Sequence, residues 1–148
     1  MLAERMDLLT KRPQGTLFPP AQNRAAWETL TPDDRADMET FIAKWRGTPY
    51  PMLLLSDYDA FVRTGSRAQC ETPYFARRRK LIASVLDVCL HGESADMSPV
   101  EDGLWCICEE TTWVLSAHNG SDHPGRPPMN ERPLPDAANP YVDLFAAQ

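Results

Sequence analysis

The side chains best suited to chemistry in this chain lie close together, between positions 109 and 119. His118 and Asn119 are adjacent, where a helical pattern gives way to a loop. A histidine in a polar loop can act as a general acid or base near neutral pH. A neighbouring asparagine can stabilise a carboxylate or developing negative charge. The same pair is more often structural, as an Asx turn or a histidine bound to a backbone carbonyl, so its residue types alone leave both interpretations open.

Two carboxylates and an indole precede this pair. Glu109 and Glu110 fall near the C-terminus of a predicted helix, where negative charge opposes the helix macrodipole. We therefore expect that a partner cation or a functional role compensates for this negative charge. The alternative is that one of the two glutamates is simply exposed to solvent. Trp113 is suited either to stacking on a sugar or to anchoring the core, and its use in the core is favoured.

Arg77-Arg78-Arg79-Lys80 is the longest basic run of the sequence. Four consecutive helical residues point around the whole circumference of a helix, so they cannot all face one ligand. The pattern favours a solvated face with ion pairs to nearby carboxylates. One arginine could instead line a site for an anion, and Arg78 is the candidate.

Cysteine and histidine spacing does not predict a metal centre. Cys106 and Cys108 are two residues apart on a predicted helix and point about 200° apart, so both thiolates cannot share one ion with His118 and His123. A phosphate-binding glycine loop and a Gly-x-Ser-x-Gly motif are also missing from the sequence. We expect no metal and no cofactor, and we expect the four cysteines to be reduced.

Helix starts follow one pattern, a hydroxyl or amide N-cap followed by proline. Thr31-Pro32 predicts a helix that runs to about Arg46 and stops at Gly47. Shorter helices are predicted over 23–30 and after Ser56. The apolar positions of the first helix follow the i, i+3, i+4, i+7 pattern: Met38, Phe41, Ile42 and Trp45.

Two further helices are predicted in the second half of the chain. One begins at Thr72-Pro73 and stops at Gly92, and the other begins at Ser98-Pro99 with a capping box from Ser98 to Glu101. No segment alternates as a strand does, so the predicted class is all-α. The apolar residues of these helices are Phe75, Leu81, Ile82, Val85, Leu86 and Cys89 in the first, and Leu104, Trp105, Ile107 and Cys108 in the second.

Length, charge and the chain termini limit the possible classes of protein. The 148 residues carry a net charge of −6, which argues against a general nucleic-acid binder. There is no signal-peptide pattern and no membrane-spanning run of ~18 apolar residues, so we expect a cytoplasmic protein. We predict an N-terminal extension over 1–21 and a proline-rich loop over 119–140. The helix predicted over 139–148 stops after about two turns, which favours a fragment over the alternative of a natural short terminal helix.

Four sequence blocks occur in order from Phe61 onward. They are the turn 61–67, Glu71 with the Tyr-Phe-x-Arg-Arg stretch 74–78, the block 104–119 that contains Glu-Glu-Thr-x-Trp and His-Asn, and the stretch 134–147. Together they resemble the N-terminal part of the heparinase II/III-like family of polysaccharide lyases. The chain departs from the family pattern at Ser116, where the family has proline, and at Gln148, where it has glutamate. We expect the serine to loosen the loop that carries His118.

The resemblance implies a fold and a reaction. The fold is a set of helical hairpins from an incomplete (α/α) toroid, which would cover 22–148, and the reaction is β-elimination at a uronic acid. Asn119 is suited to neutralising the C5 carboxylate, and His118 to that task or to removing the C5 proton. A tyrosine and a further histidine would lie beyond residue 148, so the chain alone is expected to be inactive. The candidate substrate-binding residues are Trp113, Glu110, Glu109 and Arg78.

The partner implied by the resemblance is an acidic, uronate-containing poly- or oligosaccharide, with no nucleic acid and no membrane. An incomplete toroid would expose apolar helix faces, so we also expect self-association. The alternative is a non-catalytic helical domain that binds carbohydrate or protein, with Trp113 and His118 in recognition or packing.

Overall fold

The computed structural model of the protein describes residues 18–119. Six α-helices follow one another in this range: α1 (Arg24–Glu28), α2 (Pro32–Trp45), α3 (Leu55–Tyr58), α4 (Ala60–Thr64), α5 (Ala68–His91) and α6 (Ser98–Cys108). Two short 3₁₀ turns cover Gly92–Ser94 and Ser116–His118. No strand occurs between residues 18 and 119, and the all-α prediction is confirmed for them. Residues 120–148, with most of the predicted proline-rich loop and the predicted C-terminal helix, lie outside the described residues.

The long helix α5 is the centre of the fold, and α2 and α6 both run antiparallel to it. Glu39, in the middle of α2, contacts His91 at the end of α5 (Oε1 to Nε2, 3.0 Å), whereas the carbonyl of Trp45 accepts a hydrogen bond from Lys80. On α6, Gly103 lies against Leu81. Residue 110, just beyond α6, lies against residue 77 of α5. The fold is therefore two antiparallel helix pairs that share α5.

Apolar burial joins α1, α2 and the C-terminal end of α5. The core cluster there consists of the buried Trp27, Ile42, Cys89 and Leu90. Arg24 closes the end of α5, because its guanidinium donates to the carbonyls of Cys89 (2.6 Å) and Leu90 (2.8 Å), which have no partner inside the helix. A second, smaller cluster around Tyr74 and Leu115 lies at the N-terminal half of α5.

The predicted limits of α2 are confirmed. The hydroxyl of Thr31 accepts the N–H of Asp34 (3.1 Å), and Pro32 is the first helical residue. Beyond Trp45, Gly47 adopts a positive φ of 71°, which glycine tolerates without strain. The helix predicted near residues 23–30 is also present, with Asn23 as its N-cap.

The predicted start of α5 at Thr72-Pro73 is wrong, because the helix begins at Ala68 and contains Pro73. The N–H groups of Cys70 and Glu71 already bond the carbonyl of Arg67, and the Arg67–Glu71 ion pair (2.7 Å) supports this first turn. An i,i+4 ion pair adjacent to the proline therefore extends the helix by one turn, and the proline signal did not show it. The stop at Gly92 is confirmed.

The predicted capping box of α6 is also wrong. Met97 is the N-cap, Ser98 is already helical, and no side-chain cap bond forms from the N-cap. Instead the N–H of Ser98 donates to Oδ1 of Asp96 (2.9 Å). The backbone N–H of Ser98 lowers the pKa of Asp96 below its ordinary value of 3.8, and the hydroxyl of Ser98 adds a smaller effect in the same direction. A carboxylate two residues before Ser98 thus has the role that the sequence pattern assigned to the serine.

Several of the predicted apolar residues are exposed. On α6, Trp105 is 70% exposed and Leu104 is also exposed, whereas Val100 and Gly103 are buried. On α5, Ile82 and Val85 are exposed. Among the described residues, none of the helices combines the length and apolar character needed to cross a membrane.

Candidate functional site

The segment 110–118 runs antiparallel along the first three turns of α5. Four residues receive it, the N-cap residue of α5 and three residues of the helix itself, and they occur at i, i+3, i+7 and i+11: Arg67, Cys70, Tyr74 and Arg78. This spacing places all four on one face of a helix. The chemistry-bearing segment is therefore positioned turn by turn along α5.

Glu110 anchors the start of this segment in a buried ion pair. Its side chain is 2% exposed and accepts two hydrogen bonds from Arg78, Nη2 to Oε2 at 2.8 Å and Nη1 to Oε1 at 3.1 Å. Arg77 adds a longer contact of 3.4 Å. The guanidinium of Arg78 also lies 3.7 Å from the ring centre of Tyr74 and donates to its hydroxyl. The cation expected near the glutamate pair is therefore present, and Glu109 is exposed.

The predicted solvated face of the basic run 77–80 is wrong for three of its four members. Arg77 and Arg78 are mostly buried, Lys80 is buried, and Arg79 is exposed. Lys80 lies over the ring of Tyr50 (Nζ to ring centre, 4.8 Å). Other elements pack around α5 on several sides, so even consecutive positions on its circumference are covered.

The middle of the segment is held by an apolar contact and a thiol. Leu115 packs on Tyr74, and Ser116 is buried against Cys70. Burial raises the pKa of the Cys70 thiol, while the nearby hydroxyl and backbone N–H of Ser116 act in the opposite direction. The buried hydroxyl of Ser116 has no hydrogen-bond partner among the described residues. Ser116 is therefore buried beside α5, and the expectation that it loosens the loop stays a prediction.

His118 ends the segment in contact with Arg67. Nη2 of Arg67 lies 3.1 Å from Nε2 of His118, and Nε of Arg67 donates to Oε1 of Glu71 (2.7 Å). A guanidinium only donates hydrogen bonds, so Nε2 is the acceptor and the neutral imidazole carries its proton on Nδ1. Sequence reasoning singled out His118 and missed Arg67, although the Arg67-x-x-x-Glu71 spacing was a usable sign of an ordered guanidinium.

The other predicted site residues lie apart from one another. Asn119 is buried (1% exposed). Trp113 is 36% exposed and donates from its indole N–H to the carbonyl of Ile107 (3.3 Å), so it closes the end of α6 and is not a core residue. The structure therefore brings His118 to Arg67 and Glu110 to Arg78.

A cleft of about 270 Å³ opens beside the glutamate pair. Its volume is just below the usual range of ligand pockets. Within 18–119, no three or more histidine, cysteine or carboxylate side chains are grouped to hold a metal ion. The polar residues that line the cleft are Tyr58, Arg77, Glu109, Glu110, Thr111 and Thr112.

No protein-family model matches the chain, and a comparison with curated proteins gives no match. The residues and contacts of the site therefore carry the functional argument.

Proposed function

We propose that this chain is part of a polysaccharide lyase of the heparinase II/III-like type, with His118 and Asn119 in its catalytic centre. The substrate would be a uronate-containing poly- or oligosaccharide, and the helix pairs would be hairpins of an incomplete (α/α) toroid. One observation carries the proposal. Arg67 of the block 61–67 and the segment 110–118 of the block 104–119 lie along the face of α5 that carries the block 71–78, and the Arg67–His118 contact joins the first block to the third.

The proposed reaction is β-elimination. A base removes the C5 proton of the uronate, the electron pair of that C–H bond forms a C4=C5 double bond, the C4–O4 bond breaks, and O4 leaves with a proton. Neutralising the C5 carboxylate makes the C5 proton more acidic. His118 suits the base, because its Nε2 is a hydrogen-bond acceptor. Asn119 suits the carboxylate only if its buried amide becomes accessible to substrate.

The remaining candidates divide into two roles under this proposal. Glu110 and Arg78 neutralise each other, so they position the loop that carries His118. Glu109 and Trp113 are exposed and could contact a sugar chain. Glu109 lines the cleft beside α6, whereas His118 is not one of the residues that line this cleft.

The test is an assay for the unsaturated product, whose C4=C5 bond is conjugated with the carboxylate and absorbs ultraviolet light. The protein translated from the complete reading frame is mixed with uronate polymers and, as a control, with a neutral glucan. We expect product only from the uronate polymer, and a loss of about 10²-fold or more in His118→Ala. Undiminished activity in His118→Ala would remove this histidine from the catalytic centre. The 148-residue chain by itself is expected to form no product.

A non-catalytic, protein-binding helical domain is the second candidate, and the exposed side chains of Leu104 and Trp105 favour it. Sedimentation of the chain over a range of concentrations tests this surface. We expect self-association in the wild type and less of it in Trp105→Gln. A chain that stays monomeric at all concentrations would contradict a role of the exposed α6 side chains in binding protein.

A further inference from the structure

Arg67 lies directly before α5 and holds two partners of different chemistry. One side of its guanidinium is held by Glu71, with Nε donating at 2.7 Å, and the other reaches His118, with Nη2 at 3.1 Å from Nε2. The side chain is 51% exposed. Its Nη1 nitrogen has no hydrogen-bond partner among residues 18–119. The guanidinium is therefore oriented by Glu71 and still has donors directed to solvent.

The contact with His118 is the weaker of the two. A neutral imidazole nitrogen offers one lone pair, whereas a carboxylate offers two oxygens that match the fork of a guanidinium and carry a negative charge. The bond to the imidazole has a charge on the donor alone, whereas a guanidinium–carboxylate pair joins two opposite charges and can form two parallel hydrogen bonds. A carboxylate that reaches Arg67 from solvent therefore competes well with the imidazole for Nη2.

Glu71 makes this exchange possible without loss of orientation. It bonds Nε, which is not the nitrogen that contacts His118, so the ion pair persists when Nη2 changes its partner. Glu71 is in the first turn of α5 and is itself more than half buried, and this keeps the guanidinium in place.

We propose that Arg67 binds the carboxylate of an incoming uronate and, in doing so, releases Nε2 of His118. Before substrate binds, Arg67 occupies the acceptor nitrogen of the histidine. When substrate is bound, the charge on the carboxylate is neutralised by Arg67 and Nε2 is open to a proton. Arg67 thus selects acidic over neutral sugars. The identity of the ligand as a uronate rests on the proposed function, and the Arg67–His118 contact does not.

The test uses the 148-residue chain with ¹⁵N-labelled histidine, followed by nuclear magnetic resonance. The chain is titrated with a glucuronate oligosaccharide and with a glucose oligosaccharide of the same length. We expect the Nε2 resonance of His118 to shift with the uronate and not with glucose. Arg67→Gln should weaken uronate binding about 10-fold or more, and Arg67→Lys, which keeps the charge without the fork, should weaken it less.

Arg79→Gln is the matched control, because it removes an exposed arginine of α5 and should leave uronate binding unchanged. Circular dichroism of each variant shows whether the helices are retained. Equal uronate affinity in Arg67→Gln and wild type would overturn the proposal, and so would a His118 resonance that does not respond to uronate at saturation.

The two proposals fail in different ways. If uronate displaces Arg67 from His118 but the complete protein forms no unsaturated product, the assignment of Arg67 stands and the lyase reaction falls. If the complete protein forms product through His118 while Arg67→Gln binds uronate as well as wild type, the reaction stands and the role of Arg67 falls.

Discussion

The two halves of α5 are held by different kinds of interaction. The C-terminal half, residues 80–91, contributes Cys89 and Leu90 to an apolar cluster with Trp27 and Ile42. The N-terminal half, residues 68–79, faces the segment 110–118 mostly through charged and polar side chains. Apolar packing requires complementary volume, whereas a buried polar contact requires one particular donor and acceptor.

This difference shows why the chemistry-bearing groups lie at one end of the helix. A buried ion pair is weak evidence for net stability, because desolvation offsets much of the attraction. It does determine position, since leaving either partner alone is costly. Glu110 on Arg78 determines where the segment begins along α5, and His118 on Arg67 determines where it ends.

Removing the charge of Glu110, which pairs with the N-terminal half of α5, should give the largest loss of stability. Glu110→Gln leaves Arg78 mostly buried without its anion, so we expect a loss of about 3 kcal/mol in the free energy of unfolding, measured by urea denaturation. Glu109→Gln is the control at the exposed neighbour, and its effect should stay within about 0.5 kcal/mol. Equal effects at the two positions would mean that the ion pair does not hold the segment.

Gly103→Ala should test packing at the C-terminal half. A Cβ at this position would meet the ring of Tyr50 and lie 2.9 Å from Cδ1 of Leu81. We expect a destabilisation of about 2 kcal/mol by overpacking, although alanine favours a helix over glycine by about 1 kcal/mol. The Tyr50→Phe background removes the hydroxyl that the Cβ meets, so the cost of Gly103→Ala should fall there. A stabilising Gly103→Ala would show that α5 and α6 are loosely packed.

Ser116→Pro should have a small effect. Leu115 has φ −64° and ψ 141°, a conformation that a following proline allows. Proline loses the N–H and hydroxyl that lie near Cys70 but restricts the unfolded chain, a gain of about 0.4–1 kcal/mol. We expect the free energy of unfolding to change by less than about 1 kcal/mol. A loss as large as that of Glu110→Gln would show that Ser116 is as important an anchor as the ion pair.

Asp96→Asn should have the smallest effect, and it should depend on pH. The pKa of Asp96 is lowered from 3.8 by the N–H and hydroxyl of Ser98. A lowered pKa in the folded state means that the stabilisation is complete above pH 3.8 and is lost as the pH falls through the lower, folded value. Wild type should therefore exceed Asp96→Asn near neutrality and converge with it in acid, as followed by thermal unfolding. A difference that is constant with pH would contradict the hydrogen bond.

Local features of the fold could be predicted, because capping and periodicity act within a few residues. The Thr31-Pro32 start, the Gly47 and Gly92 stops and the presence of a helix near residues 23–30 follow from the sequence. The errors arose where a second local signal competed. The Arg67–Glu71 pair moved the start of α5, and Asp96 replaced Ser98 at α6.

The candidate site could be predicted only in part. The types of His118 and Glu110 suggested an unusual segment, and the macrodipole argument indicated a cation near the glutamates. The partners on α5 are 32 or more positions away, and their choice depends on how the segment lies along the helix. The Arg67 contact and the burial of Asn119 therefore could not be read from spacing.

The helical class, most helix limits and the segment in which polar side chains concentrate can be read from the amino-acid sequence. Hydrogen-bonded caps and the helical period encode these features locally. The pairing of Arg78 with Glu110, the contact of Arg67 with Nε2 of His118, the exposure of Trp105 and the burial of Asn119 follow from the packing of the helices. These outcomes depend on the antiparallel packing of α2, α6 and the segment 110–118 on α5, which brings distant residues within hydrogen-bonding distance.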